Sequence, residues 1–270
     1  MSADTILVGA VAYHPRIVTI WEGFREHFAA HGAPTDYLLY SNYERLVEAL
    51  LSGAIDIAWN TNTAYVVAEE RIGGDARVLG MRDVDADFRT VIVARRGERF
   101  EDLPELAGRR LALGSRDSGH AAILPLHYLA HAGVEASALT LVRFDTDLGK
   151  HGDTGDSELR VVRAVAEGEA DAGAVGDATW AAMRSEGFAP AGELGVVWRS
   201  PTYYHCNFTA LPELDAGASA RWSEALLAMS YDDPALRGVM DLEGVKRWLP
   251  GDKSGYADLT EAMREQGYLR

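Results

Sequence analysis

The segment Gly114-Ser-Arg-Asp-Ser-Gly-His120 carries the clearest capacity for chemistry in this chain of 270 residues. It lies where a short apolar strand, Arg110 to Leu113, hands over to an apolar helix, Ala121 to Ala130. A strand that ends in small, hydroxyl-bearing residues and feeds a helix start leaves backbone N–H groups pointing above the turn, where the helix dipole adds partial positive charge. An oxyanion or carboxylate suits that place, with Ser115 and Ser118 beside it and Gly119 permitting close backbone approach. The simpler reading is an N-cap, in which Asp117 or Ser118 accepts from the first-turn amides; both readings can hold together.

Other polar clusters end segments expected to reach the same cleft: Tyr13-His14, Asn60-Thr-Asn-Thr63, Lys150-His-Gly-Asp153 and Tyr203-Tyr-His-Cys206. His14, His120, His151 and His205 fall on these loops, whereas His27, His31, His127 and His131 lie on or beside helices. Four imidazoles from four loops could hold a divalent metal or touch a polar organic ligand. Their spacing carries no metal motif, such as two histidines one helical turn apart in a known context, so no cofactor is predicted. A helix N-terminus favours a neutral His120. His151 with Asp153 and Glu158 has the makings of a carboxylate-assisted histidine, although the acidic, glycine-containing stretch Asp145 to Ser157 also reads as an exposed turn region.

Cys206 next to His205 suggests a nucleophile beside its base. Adjacent residues of an extended strand point to opposite faces, however, so the expectation is that the two do not touch and that Cys206 is buried and inert. A catalytic Cys206 would need His14, His120 or His151 as base. Asn60, Thr61, Asn62 and Thr63 form a polar cluster at a strand end that could equally be only the cap of the next helix. Tyr13, Tyr65, Tyr203, Tyr204 and Trp59 offer apolar walls with polar tips, with core packing the alternative, strongest for Trp59 and Tyr65. Asp177, after a buried strand, joins the ligand candidates. Arg16 and Arg82 are anion partners or ordinary surface residues.

These groups must be positioned by a framework of alternating elements. Strands are expected over Thr5–Ala12, Tyr37–Tyr40, Ile55–Trp59, Arg77–Met81 and Thr90–Ala94, and helices over Ile17–Ala30, Tyr43–Ser52 and Thr63–Glu70. The second half repeats the theme with strands at Arg110–Leu113, Leu139–Phe144 and Ala170–Val175 and helices at His120–His131, Ser157–Glu167 and Ala178–Ser185. Gly195–Arg199 and Asn207–Ala210 follow as strands, and Trp222–Ala228 and Leu242–Trp248 as helical pieces. This alternation predicts an α/β architecture of mostly parallel sheets with ligands beyond the strand carboxyl ends. Two lobes joined by crossovers near Thr90–Ala94 and Val196–Ser200 account for the lack of a linker.

Bulk composition narrows the partners. With 47% hydrophobic residues the chain can build a well-buried core, and its net charge of -15 argues against nucleic acid or an anionic membrane surface. A single cysteine excludes an internal disulfide and a thiolate-rich zinc site. No apolar run is long enough to span a bilayer. The N-terminus runs straight into a strand without a basic segment or apolar leader, which reads as cytoplasmic, or as periplasmic or extracellular if a leader has been removed.

Several motifs, in order along residues 6 to 210, together resemble the phosphate/phosphonate-binding branch of ABC-transporter substrate-binding proteins, with the type II periplasmic-binding-protein fold. Ala49-Leu-Leu-Ser-Gly-Ala-Ile-Asp-Ile-Ala-Trp59 is similar to that family's helix-to-strand signature, followed by its ligand loop, here Asn60 to Tyr65. Ser115-Arg-Asp-Ser-Gly-His-Ala-Ala-Ile-Leu-Pro125 resembles its Ser-Thr-Ser-Gly loop for phosphonate oxygens, with Arg116 and Asp117 as departures that place a carboxylate near the anion unless Asp117 turns away. His151 sits where the family often has a ligand-contacting histidine. Ala164-Val-Ala-Glu-Gly-Glu-Ala-Asp-Ala-Gly-Ala-Val175 and Val197-Trp-Arg-Ser-Pro201 complete the resemblance.

It implies two lobes, with residues 1–90 and 201–270 in the first and 91–200 in the second. The function it implies is capture of a small anionic or zwitterionic ligand in the interlobe cleft for a transporter permease. The alternative is a cytoplasmic enzyme reusing the fold, of lyase, decarboxylase or biosynthetic type, with His120, His151, His205 and Cys206 in acid/base, nucleophilic or metal-assisted roles.

Overall fold

The structure, a computed structural model, describes residues 5–98, 100 and 102–269. The chain forms two compact units. Residues 1–87 and 204–256 build the first; 88–203 and 257–270 build the second.

The first unit opens with β1 (Ile6–Val11), α1 (Ile17–Ala30), β2 (Thr35–Tyr40), α2 (Tyr43–Leu51), β3 (Ile57–Asn60), α3 (Asn62–Ile72) and β4 (Arg77–Arg82). In α1 the residues Ile17, Ile20, Trp21, Phe24 and Phe28 recur at three- and four-residue steps and are all buried, which is why this segment becomes a helix with one face inward. Phe28 stacks on Trp222 at 4.8 Å between centroids and Phe208 meets Trp222 edge-on, also at 4.8 Å, so this core is built on aromatics. Each fully buried large side chain of this kind contributes about 1.5–3 kcal/mol.

The second unit contains β5 (Thr90–Arg95), β6 (Arg110–Leu113), α4 (Leu124–His131), β7 (Thr140–Arg143), α5 (Asp156–Ala166), β8 (Ala172–Gly176), α6 (Asp177–Ser185), the short α7 (Ala189–Gly192) and β9 (Leu194–Arg199). Its core is mostly Val, Leu and Ala on both faces of the sheet, as strands covered on two sides require. The chain then re-enters the first unit through β10 (Asn207–Ala210), α8 (Ala216–Leu227), α9 (Pro234–Glu243) and β11 (Trp248–Pro250), and ends in the second with α10 (Ala257–Glu265).

The sheets run β11-β4-β10-β3-β1-β2 and β7-β6-β8-β5-β9. Each has a parallel part, β1 with β2 and β3 in one and β6 with β7 and β8 in the other. Beside it stand antiparallel strands: β10 pairs antiparallel with β3 and β4, and β5 with β8 and β9. The two α/β units hold, then, but their sheets are mixed rather than mostly parallel.

Three expectations change. The segments expected as crossovers, Thr90–Ala94 and Val196–Ser200, are not free connections: β5 and β9 pair with each other in the second sheet, and the chain changes unit at 87/88 and 203/204. A third change at 256/257 takes α10 out of the first unit, where all of 201–270 was expected. The helix expected over Leu242–Trp248 instead ends at Glu243, because Gly244 at φ +72° adopts the left-handed cap, and Trp248 opens an edge strand on β4.

Candidate functional site

In the second unit the Gly114–His120 segment joins β6 to a helix whose first turn, Gly119–Ile123, is π-wound before it continues as α4. Ser118 is the cap: its hydroxyl accepts from the Ala121 N–H at 3.2 Å, and its carbonyl accepts from both Ala122 and Ile123. The Gly119 and His120 amides are the ones this cap does not use. Pro125 has no N–H to offer the previous turn, and two carbonyls of that turn take outside donors. Thr90 Oγ1 donates to His120 O at 2.8 Å, and Gly114 N–H donates to Ala121 O at 3.0 Å. Such π-turns recur at functional sites.

Asp117 is not the cap. Its Oδ2 accepts from the Gly149 N–H at 2.6 Å, so the carboxylate braces the neighbouring 145–155 loop. Ser115 does the same: its Oγ accepts from Asp147 N–H at 2.9 Å and points its own proton at Phe144 O, 3.5 Å away. Arg116 pairs with Asp145 through its backbone N–H and its guanidinium. The stretch expected as an exposed turn is therefore a built loop. Asp147 is buried and accepts from Ser157 N–H and the Thr154 hydroxyl; His151 is buried at φ +54°. A non-glycine residue in the left-handed region costs about 1–2 kcal/mol, a cost that clusters at binding sites.

Glu158 serves His120 rather than His151. His120 Nε2 lies 3.3 Å from Glu158 Oε2, with both side chains buried. Glu158 is held by the Gly176 N–H at 2.6 Å and the Thr179 hydroxyl at 3.0 Å. Burial, the largest single influence, pulls the imidazole towards neutral, but the charge and hydrogen bond of Glu158 together with Asp153 and Asp177 outweigh it, and the pKa of His120 rises above its ordinary 6.5. The neutral His120 expected from the helix dipole is thus corrected: a buried carboxylate within hydrogen-bond range is stronger than the partial charge of a helix end. Two glycines admit this ring: a Cβ on Gly152, which sits at φ +92°, would stand 3.1 Å from His120 Nε2 and 3.0 Å from Ser118 Oγ, and one on Gly176 would stand 3.2 Å from His120 Cδ2.

Tyr203 is buried in the second unit, its hydroxyl 2.9 Å from Thr90 Oγ1 and its ring 5.8 Å from that of Phe88, which in turn lies 5.6 Å from His120. It supports His120 from below more than it walls a ligand. Asp177 accepts from Arg89 N–H through Oδ1 at 3.3 Å and is half-buried.

In the first unit Thr61 caps α3, accepting from Ala64 N–H at 3.3 Å, while Asn62 Oδ1 accepts from Thr63 N–H at 2.8 Å. Asn60 donates to Thr209 Oγ1 at 3.0 Å, Thr209 to Asn207, and Asn207 to Tyr256, so Asn60 begins an internal polar chain. Tyr65 and Trp59 are core, as the bland reading expects. Tyr204 donates to Asp252 at 2.7 Å; Tyr13 is half-buried with Arg16 over its ring, and His14 is exposed, its Nδ1 accepting from Arg16 N–H at 3.2 Å.

His205 and Cys206 do touch, against expectation: Cys206 Sγ lies 3.0 Å from His205 Nδ1. The alternation rule fails because both precede β10 and lie outside any regular strand. Asp85 Oδ1 stands 3.5 Å from the same Nδ1, and both Asp85 oxygens accept from Arg82, at 2.6 and 2.9 Å. A nucleophile relay needs base and orienter on opposite ring nitrogens; here thiol and carboxylate share one. Arg82 is neither an anion partner nor a surface residue, since Asp85 and Glu243 enclose it. Among the described residues, clusters that could ligate a metal within one unit are Asp85–His205–Cys206 and His127–His131–Glu265, and neither unites two of His14, His120, His151 and His205.

Residues 9–256 match the family model described as the phosphonate periplasmic substrate-binding protein of ABC transporters. The chain belongs to that family. A probable ABC transporter phosphite-binding protein, PhnD1 of Prochlorococcus marinus (strain MIT 9301), is 21% identical over 244 residues, covering 87% of this chain and 79% of that protein. The structure of PhnD1 from that organism in complex with methylphosphonate superposes with a TM-score of 0.76 at 20% identity, over 97% of this chain and 98% of the other. XAC2383 from Xanthomonas citri bound to ATP gives 0.77 at 18% identity, over 99% of each chain. Membership makes this chain a solute-binding-type protein and lends no support to the lyase alternative. The family is described as periplasmic, so the cytoplasmic expectation loses its support as well.

Sequence reading missed Glu158 as the partner of His120, Thr90 and Thr179 as its supports, and Asp85 as the centre of a buried charge cluster. Glu158 alone left a signal, a carboxylate at the start of an amphipathic helix, but it was assigned to the histidine nearest in sequence.

Proposed function

We propose that this protein captures a small oxyanion of the phosphonate or phosphite type at the Gly114–His120 loop and passes it to an ABC permease, working in the periplasm. The observation that carries the reading is the Ser118-capped helix start, which lies within the family match and leaves the Gly119 and His120 amides outside the cap. Asp117 turned onto Gly149 removes the carboxylate that would otherwise crowd an anion. Ser118, Gly119, His120 and His151 are the binding residues on this reading; Ser115 acts by holding the 145–155 loop in place. The relatives' names and the methylphosphonate complex of PhnD1 support the ligand class.

Calorimetric titration of the purified chain with methylphosphonate, phosphite, phosphate and an alkanesulfonate tests this. One equivalent of phosphonate or phosphite should bind, and Ser118→Ala and His151→Ala should each weaken it at least about tenfold while the unliganded Tm moves only a few degrees. Absence of binding by all four anions, or unchanged affinity in both variants, would overturn the proposal.

A further inference from the structure

His127 and His131 stand one turn apart on α4 and therefore share a face. Glu265, at the end of α10, reaches both: its Oε2 lies 2.7 Å from His127 Nδ1 and its Oε1 lies 3.2 Å from His131 Nε2. The two rings are 4.1 Å apart between centroids, and one ligating atom from each of the three residues lies within 4.8 Å of the others. His127 is buried at 3% side-chain exposure, whereas His131 and Glu265 are 50% and 41% exposed.

The two helices are fastened without this cluster. Tyr128 donates to Asp258 Oδ2 at 2.8 Å, and Gln266 Nε2 donates to Ile123 O at 2.9 Å. The three groups are thus presented by elements whose relative placement other bonds hold, the condition for a preorganised ligand set.

We propose that His127, His131 and Glu265 form a binding site for a divalent transition metal of the zinc or nickel class, which staples the C-terminal helix to α4. Two imidazoles and one carboxylate are the donor set these ions take, whereas magnesium and calcium take oxygen ligands. With metal–ligand bonds of about 2 Å, tetrahedral neighbours stand about 3.3 Å apart, so only small side-chain rotations separate the present geometry from a coordinated one. His131 and Glu265 have the exposure to make them. The metal takes the place of the present contacts between the two rings and the carboxylate.

The competing cluster does not offer this. Asp85 already spends both oxygens on Arg82, a fixed positive charge beside any cation that His205 and Cys206 could ligate. The other pair of histidines one turn apart is committed to backbone, His27 Nε2 to Ala225 O and His31 Nδ1 to His27 O, both at 2.8 Å.

The test is calorimetric titration of the full chain, stripped with chelator and dialysed, with zinc chloride, alongside thermal melts. One zinc should bind per chain and raise the Tm by several degrees at saturation. His131→Ala, at an exposed position that leaves the metal-free Tm nearly unchanged, and Glu265→Gln should each weaken zinc at least about a hundredfold, the upper end of what loss of a supporting group alone costs. Cys206→Ser and His31→Ala should bind zinc as the parent does, and magnesium should give no heat. Failure to bind stoichiometric zinc, retention of full affinity by His131→Ala and Glu265→Gln, or loss of zinc in Cys206→Ser or His31→Ala would each overturn the proposal.

Discussion

Each unit buries a histidine against a carboxylate, and the two pairs behave differently because of what else touches the carboxylate. In the first unit Asp85 faces His205 but also receives a bidentate guanidinium from Arg82, with Glu243 on the other side of the arginine. Burial alone would raise the Asp85 pKa; Arg82 and then His205 reverse that and hold it down at about 2. In the second unit the Gly176 N–H and the Thr179 hydroxyl that hold Glu158 are neutral donors, so its charge acts on His120, whose pKa rises. A carboxylate neutralised by arginine is an anchor; one held by neutral dipoles sets the charge of its neighbour.

The largest effect expected from breaking this contrast is at Asp85. Asp85→Asn takes the bidentate partner from Arg82, leaving Glu243 as its one remaining carboxylate among the described residues, and should cost about 3 kcal/mol in denaturant unfolding, the low end for removing one member of a buried ion pair. The parent should lose the Asp85 contribution as pH falls below its unfolded value of 3.8 and through about 2, and the variant should lack that acid-dependent step. A variant as stable as the parent would remove Asp85 from the role of anchor.

Glu158→Gln should have the next largest effect, about 1.5–3 kcal/mol at pH 6, the range for a hydrogen bond to a charged group. Because the folded pKa of His120 is raised, its pairing contributes fully below 6.5 and fades as pH rises through the folded value. Melting curves taken across that range should show a decline in the parent that is flattened in the variant; parallel profiles would mean that Glu158 does not set the state of His120. Smallest is Cys206→Ser, expected within about 1 kcal/mol of the parent, with oxyanion binding retained. Loss of binding there would give the first unit's cluster a ligand role that its geometry does not suggest.

Much of the fold was legible because burial writes periodicity into sequence. Ile17–Ala30, Arg110–Leu113 and Asn207–Ala210 emerged with the bounds their patterns imply. Leu242–Trp248 did not, because Leu242 and Val245 keep helical spacing across Gly244, and only the backbone reveals the left-handed turn there. The turn from β6 into the helix was located from residue type and position, down to the alternative of Ser118 as cap. The roles within it were not legible: Ser115 and Asp117 carry the side chains expected at an anion site, yet both bind the 145–155 loop. Cys206 and His205 were kept apart by a rule for extended strands that their irregular backbone does not obey.

By itself, the sequence determined the alternating α/β framework, the Ser118-capped helix start and the family, since each depends on neighbours within about one element: apolar spacing, a small-residue turn and short motifs. Only the tertiary structure decided which carboxylate meets which histidine. Glu158 lies closer in sequence to His151 than to His120, and Glu265 is far along the chain from His127, but charge partners are chosen by distance in space. At these sites a few ångströms separate an anchor, a proton-holding pair and a metal ligand.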